Sequence, residues 1–178
     1  MPTYFDGLKK AKEMYWAGQK IREAWYEGKR VFSGKPVEVM PATPGEYDAR
    51  DWLRAKLTEY GEDYATVKEI PFEIDAGEAT TMRSLFTGCS KLVTAPAMDT
   101  RGVTNTSYLF YQCRSLIEVP PMNTAQVTDA RNMFRECLEL TDGNVRLIGK
   151  HQGVRTDYMI YRSGLTREPF YDSTGRPI

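Results

Sequence analysis

A pattern of 24 residues repeats through residues 80–141 and constrains this chain more than any other feature of its sequence. The segments FTGCSKL, FYQCRSL and FRECLEL begin at Phe86, Phe110 and Phe134, and each reads Phe-x-x-Cys-x-x-Leu. They contain all three cysteines of the chain. Leucine, proline, methionine, threonine and valine recur at the same interval. A fixed period of this length predicts a chain that coils and stacks the equivalent residues of successive copies.

The period predicts a short leucine-rich-repeat-like solenoid over residues 79–178, with about three to four turns and a degenerate C-terminal cap. In the first copy we expect a short strand near residues 92–98 and a return through residues 82–89. The recurring phenylalanine, leucine and methionine positions would form buried ladders with a spacing of roughly 5 Å. Cysteine suits such a position, because it behaves as a small hydrophobic residue and is often fully buried.

Two chemical uses of the cysteines compete with burial. A zinc site is typically built from close pairs such as Cys-x-x-Cys, whereas these cysteines are 24 residues apart, although a stacked column could gather three sulfurs. A cysteine nucleophile needs a base, and the single histidine, His151, lies in a stretch that is typical of a surface loop. We therefore predict no catalytic residue, no metal site and no cofactor.

The repeat resembles a known family. Phe-x-x-Cys-x-x-Leu, followed by Pro and then by Asp/Asn-Thr-x-x-Val-Thr, resembles the BspA-like leucine-rich repeats of bacterial surface proteins and mycoplasma lipoproteins. The residues that carry the resemblance are 80–100, 104–124 and 128–141. It implies a solenoid that acts by binding, as surface and adhesion proteins do. This chain departs from the family in being very short and in lacking a secretion signal.

Residues 1–36 contain a second repeat, with a spacing of ten residues. YWAGQKI, which begins at Tyr15, is echoed by WYEGKRV, which begins at Trp25. Aromatic and β-branched residues favour strands, and the Ala-Gly and Glu-Gly pairs favour tight turns. The pattern predicts a small antiparallel β-meander for anchoring or oligomerisation, with strands near residues 11–16, 20–26 and 29–33.

The same segment carries a second resemblance. Residues 9–32, KKAKEMYWAGQKIREAWYEGKRVF, resemble the opening of minor tail and other virion proteins of phages that infect actinobacteria. The resemblance implies a location in the virion, which the chain would reach without a signal peptide because virions leave the cell by lysis. It also implies that the N-terminal segment binds other virion proteins or further copies of this chain.

Residues 37–78 are predicted to form a linker and one amphipathic helix. Thr43-Pro44-Gly45-Glu46 matches a capping box, with threonine as the N-cap and proline at the first helical position. The apolar residues that follow at helical spacing are Ala49, Trp52, Leu53, Leu57 and Tyr60. Gly61 is placed to end the helix. The three segments together predict an α+β chain.

The net charge of zero conceals an uneven distribution of charged residues. Residues 1–36 carry 8 basic and 4 acidic side chains, residues 37–79 carry 4 and 11, and residues 80–178 carry 12 and 9. This distribution gives no basic face, so we expect no nucleic-acid partner. With no run of about 18 apolar residues and an odd number of cysteines, we expect no membrane insertion, no disulfide framework and synthesis in a reducing cytoplasm.

Two groups of residues are candidates for binding a partner. Tryptophan and tyrosine are enriched at binding hot spots, so Trp16, Trp25 and Tyr26 could anchor a partner or, equally well, pack against the helix. Polar positions on the repeat strands differ between copies, and strand faces often bind partners in solenoids. Plain solvation is the alternative for these polar residues, which are Lys91, Thr94, Ser115, Glu118 and Glu139.

Together these observations predict a non-enzymatic virion structural protein of a tailed bacteriophage. The first expectation is a minor tail protein that presents a repeat-built surface to a host cell-surface component. Two alternatives stay open, namely a capsid decoration or head fibre protein and a bacterial surface adhesin-type interaction module. We also expect a homo-oligomer, because a sheet of about 35 residues needs a partner to bury its aromatic faces.

Overall fold

The computed structural model describes residues 15–16, 19–20, 24–26, 29–32, 35–42 and 49–178, and it describes only the backbone of the first four stretches. The chain divides into two compact units, Met1–Pro36 and Val37–Ile178. Strands and turns make up most of the described chain, together with one short helix.

The unit Met1–Pro36 contains two separate antiparallel hairpins. Their strands are β1 (Tyr15–Trp16), β2 (Gln19–Lys20), β3 (Ala24–Tyr26) and β4 (Lys29–Phe32). β1 pairs only with β2 and β3 pairs only with β4 among the strands described.

The predicted three-stranded meander is therefore wrong. A meander would require a continuous middle strand over residues 20–26 that pairs on both sides, whereas β2 and β3 belong to different sheets. The ten-residue repeat explains the difference, because Tyr15 lies opposite Lys20 just as Trp25 lies opposite Arg30. Each copy of the repeat thus supplies both strands of its own hairpin.

The unit Val37–Ile178 contains two three-stranded sheets in which all pairs are parallel. The first consists of β5 (Val37–Val39), β6 (Glu73–Asp75) and β7 (Met98–Asp99), in that order. The second consists of β8 (Val119–Asn123), β9 (Val145–Ile148) and β10 (Phe170–Tyr171), also in chain order. Ile74 lies opposite Met98, so residues 24 positions apart are neighbours in the first sheet.

The predicted leucine-rich-repeat-like solenoid is also wrong as a description of this unit. Its strands would form one continuous ladder, whereas β7 and β8 belong to separate sheets. Near the predicted strand at residues 92–98, Thr94 forms only isolated bridges, and β7 begins at its last residue. Pro120 and Pro121 in β8 have no N–H to donate, and the register between β8 and β9 shifts between Val119 and Met122.

α1 (Ala49–Glu59) is the one helix of the described residues and lies where the apolar spacing predicts a helix. Its buried residues are Ala49, Leu53 and Leu57. The helix ends in a Schellman motif, since the Glu62 N–H donates to the Leu57 carbonyl oxygen at 2.9 Å and the Gly61 N–H donates to that of Thr58 at 3.1 Å. Gly61 has φ +76°, as this motif requires. The predicted capping box lies outside the described residues.

The core of the second unit is built from the recurring apolar positions. The phenylalanine rings stack in parallel, with centroid distances of 5.2 Å between Phe86 and Phe110 and 5.6 Å between Phe110 and Phe134. All three rings are fully buried. Complete burial of one such side chain stabilises a fold by about 1.5–3 kcal/mol, so this column alone is a substantial part of the stability of a small unit.

Candidate functional site

Four turn segments lie side by side in the second unit and carry the candidate site. They are residues 81–88, 105–112, 129–136 and 155–162. Each of the first three donates four backbone N–H groups to the segment that follows, with N···O distances of 2.8–3.1 Å. In the first segment the donors are Met82, Ser84, Phe86 and Gly88, and their acceptors are the carbonyl oxygens of Asn105, Ser107, Leu109 and Tyr111.

Each turn segment also places two residues in the left-handed backbone region, at the same two positions. The first position is occupied by Ser84, Tyr108, Asn132 and Tyr158, with φ between 55° and 61°. The second is occupied by Gly88, Gln112, Glu136 and Arg162, with φ between 56° and 80°. Such a conformation costs a residue other than glycine about 1–2 kcal/mol. The hydrogen bonds between neighbouring segments hold the backbone in this strained form.

The cysteine column is buried among these segments and its thiols are all free. The Cys113 thiol donates to the Phe86 carbonyl oxygen at 3.1 Å, and the Cys137 thiol donates to that of Phe110 at 3.0 Å. Burial raises the pKa of Cys89 and Cys137 to about 12 and that of Cys113 well above its ordinary value. Neutral thiols are poor nucleophiles, so this arrangement suits packing, as the sequence predicts.

Tyr64 takes the place that a preceding copy would occupy beside the first turn segment. Its hydroxyl donates to the carbonyl oxygens of Leu85, at 3.1 Å, and Thr87, at 2.9 Å. A single side chain therefore serves two of the four outward-facing carbonyl oxygens at the first end of the set of segments.

Five side chains from successive turn segments form a continuous set of ring and guanidinium contacts, which we name the tyrosine–arginine surface. They are Tyr108, Tyr111, Arg135, Tyr158 and Tyr161. The two tyrosine pairs meet edge to face, with centroid distances of 5.6 Å and 5.8 Å. Tyr158 and Tyr161 are 64% and 50% exposed.

Arg135 joins the two tyrosine pairs. Its guanidinium carbon lies 5.7 Å from the ring centroid of Tyr111, 5.9 Å from that of Tyr158 and 5.3 Å from that of Tyr161. At about 6 Å or less a guanidinium is attracted to an aromatic ring. One Arg135 nitrogen donates to the Asn132 side-chain oxygen at 3.2 Å, but its Nε is buried without an acceptor in the described part of the chain.

An ion-pair network borders this surface. The Asp129 carboxylate accepts hydrogen bonds from Arg131, at 2.9 and 3.0 Å, and from Arg155, at 2.7 Å. Burial alone would raise the pKa of Asp129, but the hydrogen bonds and positive charges of Arg131 and Arg155 outweigh it, and the pKa is lowered. Asp129 therefore stays ionised and connects the third turn segment to the fourth.

The residues predicted from sequence as binding candidates lie elsewhere. Trp16 is in β1, and Trp25 and Tyr26 are in β3, where side chains are outside the described part of the structure. Of the polar candidates on the repeat, Lys91, Glu118 and Glu139 are exposed, whereas Thr94 and Ser115 are partly buried. Thr94 and Glu118 are brought together as parallel bridge partners.

The tyrosine–arginine surface is not evident from the sequence pattern, because the repeat period changes. Asp129 bridges Arg155, a spacing of 26 residues, whereas Asn105 bridges Asp129 at a spacing of 24. With that shift of two residues, Tyr158 and Tyr161 occupy the positions of Tyr108 and Tyr111 two copies earlier. The recurrence of Tyr-x-x-Tyr was the signal that could have located this surface.

Over residues 35–42 and 49–178 and the four short strands before them, no group of three or more His, Cys, Asp or Glu residues is arranged to hold a metal ion. No helix in the described residues has both the length and the apolar character needed to cross a membrane. No protein-family model, curated protein or solved structure matches the chain.

Proposed function

We propose that this chain is a non-enzymatic structural protein of a tailed-bacteriophage particle, a minor tail protein that binds a component of the host cell surface. The location in a phage particle rests on the resemblance of residues 9–32 to virion proteins. The binding role rests on the second unit, where the tyrosine–arginine surface is the observation that carries the proposal.

The composition of this surface favours recognition of a partner. Tyrosine and arginine are enriched among the residues that dominate binding energy at interfaces. Tyr158 and Tyr161 expose half or more of their area, so they have surface left to bury against a partner.

The scaffold beneath this surface reduces the cost of binding. Met133 and Met159, which alternate with the surface residues along the chain, are fully buried. Four backbone hydrogen bonds join the third turn segment to the fourth. The edge-to-face contacts already restrict the tyrosine rings. Side chains that are ordered before binding lose less entropy on association, typically by about 0.5–1.5 kcal/mol for each group.

The polar residues predicted from sequence are a weaker candidate for the same role. Lysine, glutamate and serine are depleted at interface cores. Lys91 and Glu139 are exposed, with no hydrogen bond or ion pair among the described side chains to hold them in one conformation. They remain a prediction, and they provide a matched control for the tyrosine–arginine surface.

Particle association is tested by purifying phage particles on a density gradient and detecting the chain by mass spectrometry and by immunogold labelling. We expect the chain in the particle band, with gold at the tail. Gold on the head would replace a tail protein with a capsid decoration protein. A chain that is absent from particles and present on the surface of bacterial cells would overturn the proposal in favour of an adhesin-type module.

Host binding is tested with the fluorescently labelled full chain and host cells. The double variant Tyr158→Ala/Tyr161→Ala should bind at least about tenfold more weakly, because two hot-spot side chains are lost. The matched control Lys91→Ala/Glu139→Ala should bind as the unchanged protein does. The reverse pattern would move the binding site to the polar residues of the repeat. Absence of cell binding by the unchanged protein would reject host attachment.

A further inference from the structure

The fourth turn segment ends the series with a row of unused hydrogen-bond donors. By position, the N–H groups of Thr156, Tyr158, Ile160 and Arg162 correspond to those that each earlier segment donates to the next. None of these four N–H groups has an acceptor within the part of the chain that the structure describes. We name this row the donor edge.

The donor edge already has the conformation that binds acceptors in the rest of the unit. Tyr158 has φ 55° and Arg162 has φ 56°, as do the equivalent residues of the earlier segments within a few degrees, Gly88 excepted. In each of the three internal interfaces, such a row receives alternate carbonyl oxygens of a polypeptide. The edge is therefore a preformed template for another chain, like the unpaired edge of a sheet.

The edge of strand β10 is protected. β10 is covered by the last residues of the chain, since Tyr171 pairs with Pro177 and the Ile178 N–H donates to the Phe170 carbonyl oxygen at 3.1 Å. Covering strand edges prevents unspecific pairing. The donor edge has no such cover among the described residues.

A second copy of this chain does not complement the donor edge. Two donor edges cannot pair with each other, because both would present N–H groups. The matching carbonyl edge would be that of the first turn segment, where Tyr64 already donates to Leu85 and Thr87 and α1 and the segment after it cover the core. A different protein is therefore the occupant that these observations favour.

The charges around the donor edge indicate what that chain contains. Arg162 is exposed at the end of the edge, and the Arg135 guanidinium lies within 6 Å of both Tyr158 and Tyr161. Arg155 is paired with Asp129, and the only carboxylate within the fourth segment is that of Asp157. Glu136 of the third segment also faces Arg162, but its carboxylate is hydrogen-bonded to Arg114 at 3.0 Å. Four partially positive N–H groups with two arginines favour a partner that carries negative charge.

We infer that the donor edge binds an acidic polypeptide segment of a partner protein, whose carbonyl oxygens accept from the four N–H groups and whose carboxylates meet Arg135 and Arg162. The inference rests on the proposed binding function and specifies its partner as a polypeptide. The exposed rings of Tyr158 and Tyr161 supply apolar contact beside the edge.

The test is an amide NMR titration of the full chain with a synthetic peptide of alternating glycine and glutamate, about ten residues long. We expect the largest shifts at the amides of Thr156, Tyr158, Ile160 and Arg162. The equivalent amides of the third segment, those of Ala130, Asn132, Phe134 and Glu136, are the internal control and should not shift. A charge-matched dextran sulfate should leave the four amides in place.

A variant tests the role of the backbone donors directly. Thr156→Pro removes one N–H from the donor edge and should weaken peptide binding about fivefold, the usual effect of one hydrogen bond. If this variant does not fold, the titration of the unchanged chain still tests whether the donor edge binds the peptide. The inference would be overturned if the four amides did not shift with the peptide, or if they shifted equally with dextran sulfate.

The two proposals fail in different ways. Host-cell binding without peptide-induced shifts would leave the proposed function standing and remove the acidic polypeptide. Peptide-induced shifts without binding to host cells would leave the donor edge as a site and reject attachment to the host.

Discussion

The two ends of the set of turn segments satisfy their backbone groups differently. At the first end, carbonyl oxygens face outward, and the hydroxyl of Tyr64 donates to two of them. At the last end, N–H groups face outward, and none of the four at the equivalent positions has an acceptor in the described chain. The segments between them are joined by the same four hydrogen bonds at each interface.

This difference shows how a repeated backbone pattern is terminated. One buried hydroxyl can satisfy two neighbouring carbonyl oxygens, because each accepts from a single donor placed between them. A row of N–H groups instead needs several acceptors in a line, which a single side chain does not supply. The first end is therefore partly closed, since Tyr64 serves two of its four outward-facing carbonyl oxygens, and the last end is left for water or a partner.

Hydrogen exchange should give the largest difference between the two ends. The amides of Asn132 and Phe134, bonded to the fourth segment, should exchange about 10³-fold or more slowly than those of Tyr158 and Ile160. The measurement is amide exchange followed by NMR. Equal protection of all four amides would show that the donor edge is bonded in solution and would remove the comparison.

Thiol labelling should show that Cys89, at the end where Tyr64 lies, is as unreactive as Cys137, which lies beside the next copy of the repeat. With a native pKa of about 12 against 9.0 for an ordinary thiol, each thiolate population at pH 8 is lower by about 10³-fold. We expect no alkylation of native protein and three alkylated cysteines in urea, by mass spectrometry. Early labelling of Cys89 alone would show that the Tyr64 end opens first.

Phe110→Ala should strongly destabilise the second unit. The ring lies between Phe86 and Phe134 and is fully buried, so its removal leaves a cavity and should cost about 3–5 kcal/mol in the free energy of unfolding. Urea unfolding measures the change. Lys91→Ala, at an exposed position with no hydrogen bond or ion pair among the described side chains, is the control and should change stability by about 0.5 kcal/mol or less. If the two variants lost equal stability, the stacked phenylalanine rings would not be the core of the second unit.

Tyr64→Phe should show whether the Tyr64 hydroxyl stabilises the first end of the set of turn segments. The change keeps the ring but leaves the carbonyl oxygens of Leu85 and Thr87 without the donor, at a cost of about 1–3 kcal/mol. Tyr161→Phe at the other end is the matched control, because its hydroxyl has no hydrogen bond with the described residues. A similar small loss in both variants would show that the Tyr64 hydroxyl does not close the first end.

Gln112→Gly should produce the smallest change, and a favourable one. Gln112 has φ 62° at the position where the first segment has Gly88. Glycine relieves the strain of about 1–2 kcal/mol but adds entropy to the unfolded chain, so the net gain should be about 0.5–1 kcal/mol. Gly88→Ala, where a Cβ would meet nothing within 4 Å, should lose about 1 kcal/mol. Thermal unfolding of both variants measures the two effects. A loss of stability in Gln112→Gly would contradict the inference that Gln112 is strained.

Part of this structure follows from local pattern. The interval of 24 residues identifies Phe86, Phe110 and Phe134 as equivalent, and the cysteines between them are buried as predicted. The apolar spacing in residues 49–57 similarly locates α1. These predictions succeed because burial of apolar side chains depends on their spacing along the chain, which the sequence contains directly.

The arrangement of strands was not accessible in the same way. The repeat with a spacing of ten residues is compatible with a meander or with two hairpins, and only the pairing of β1 with β2 and of β3 with β4 decides between them. The separation of β7 from β8 depends likewise on backbone hydrogen bonds between distant residues. Such pairing is a property of the assembled backbone, and apolar periodicity does not specify it.

The sequence by itself thus determined which residues are equivalent and which of them are buried. The tertiary structure decided how the edges end and which polar groups meet. Tyr64 has no counterpart in the repeat, and its role emerges only when its hydroxyl reaches carbonyl oxygens 21 and 23 residues away. Tyr158 and Tyr161 contact Arg135 because the spacing between the third and fourth turn segments is two residues longer than the earlier spacing. The physical reason is that hydrogen bonds and ring contacts depend on distances in space, which spacing in sequence constrains only within one repeating copy.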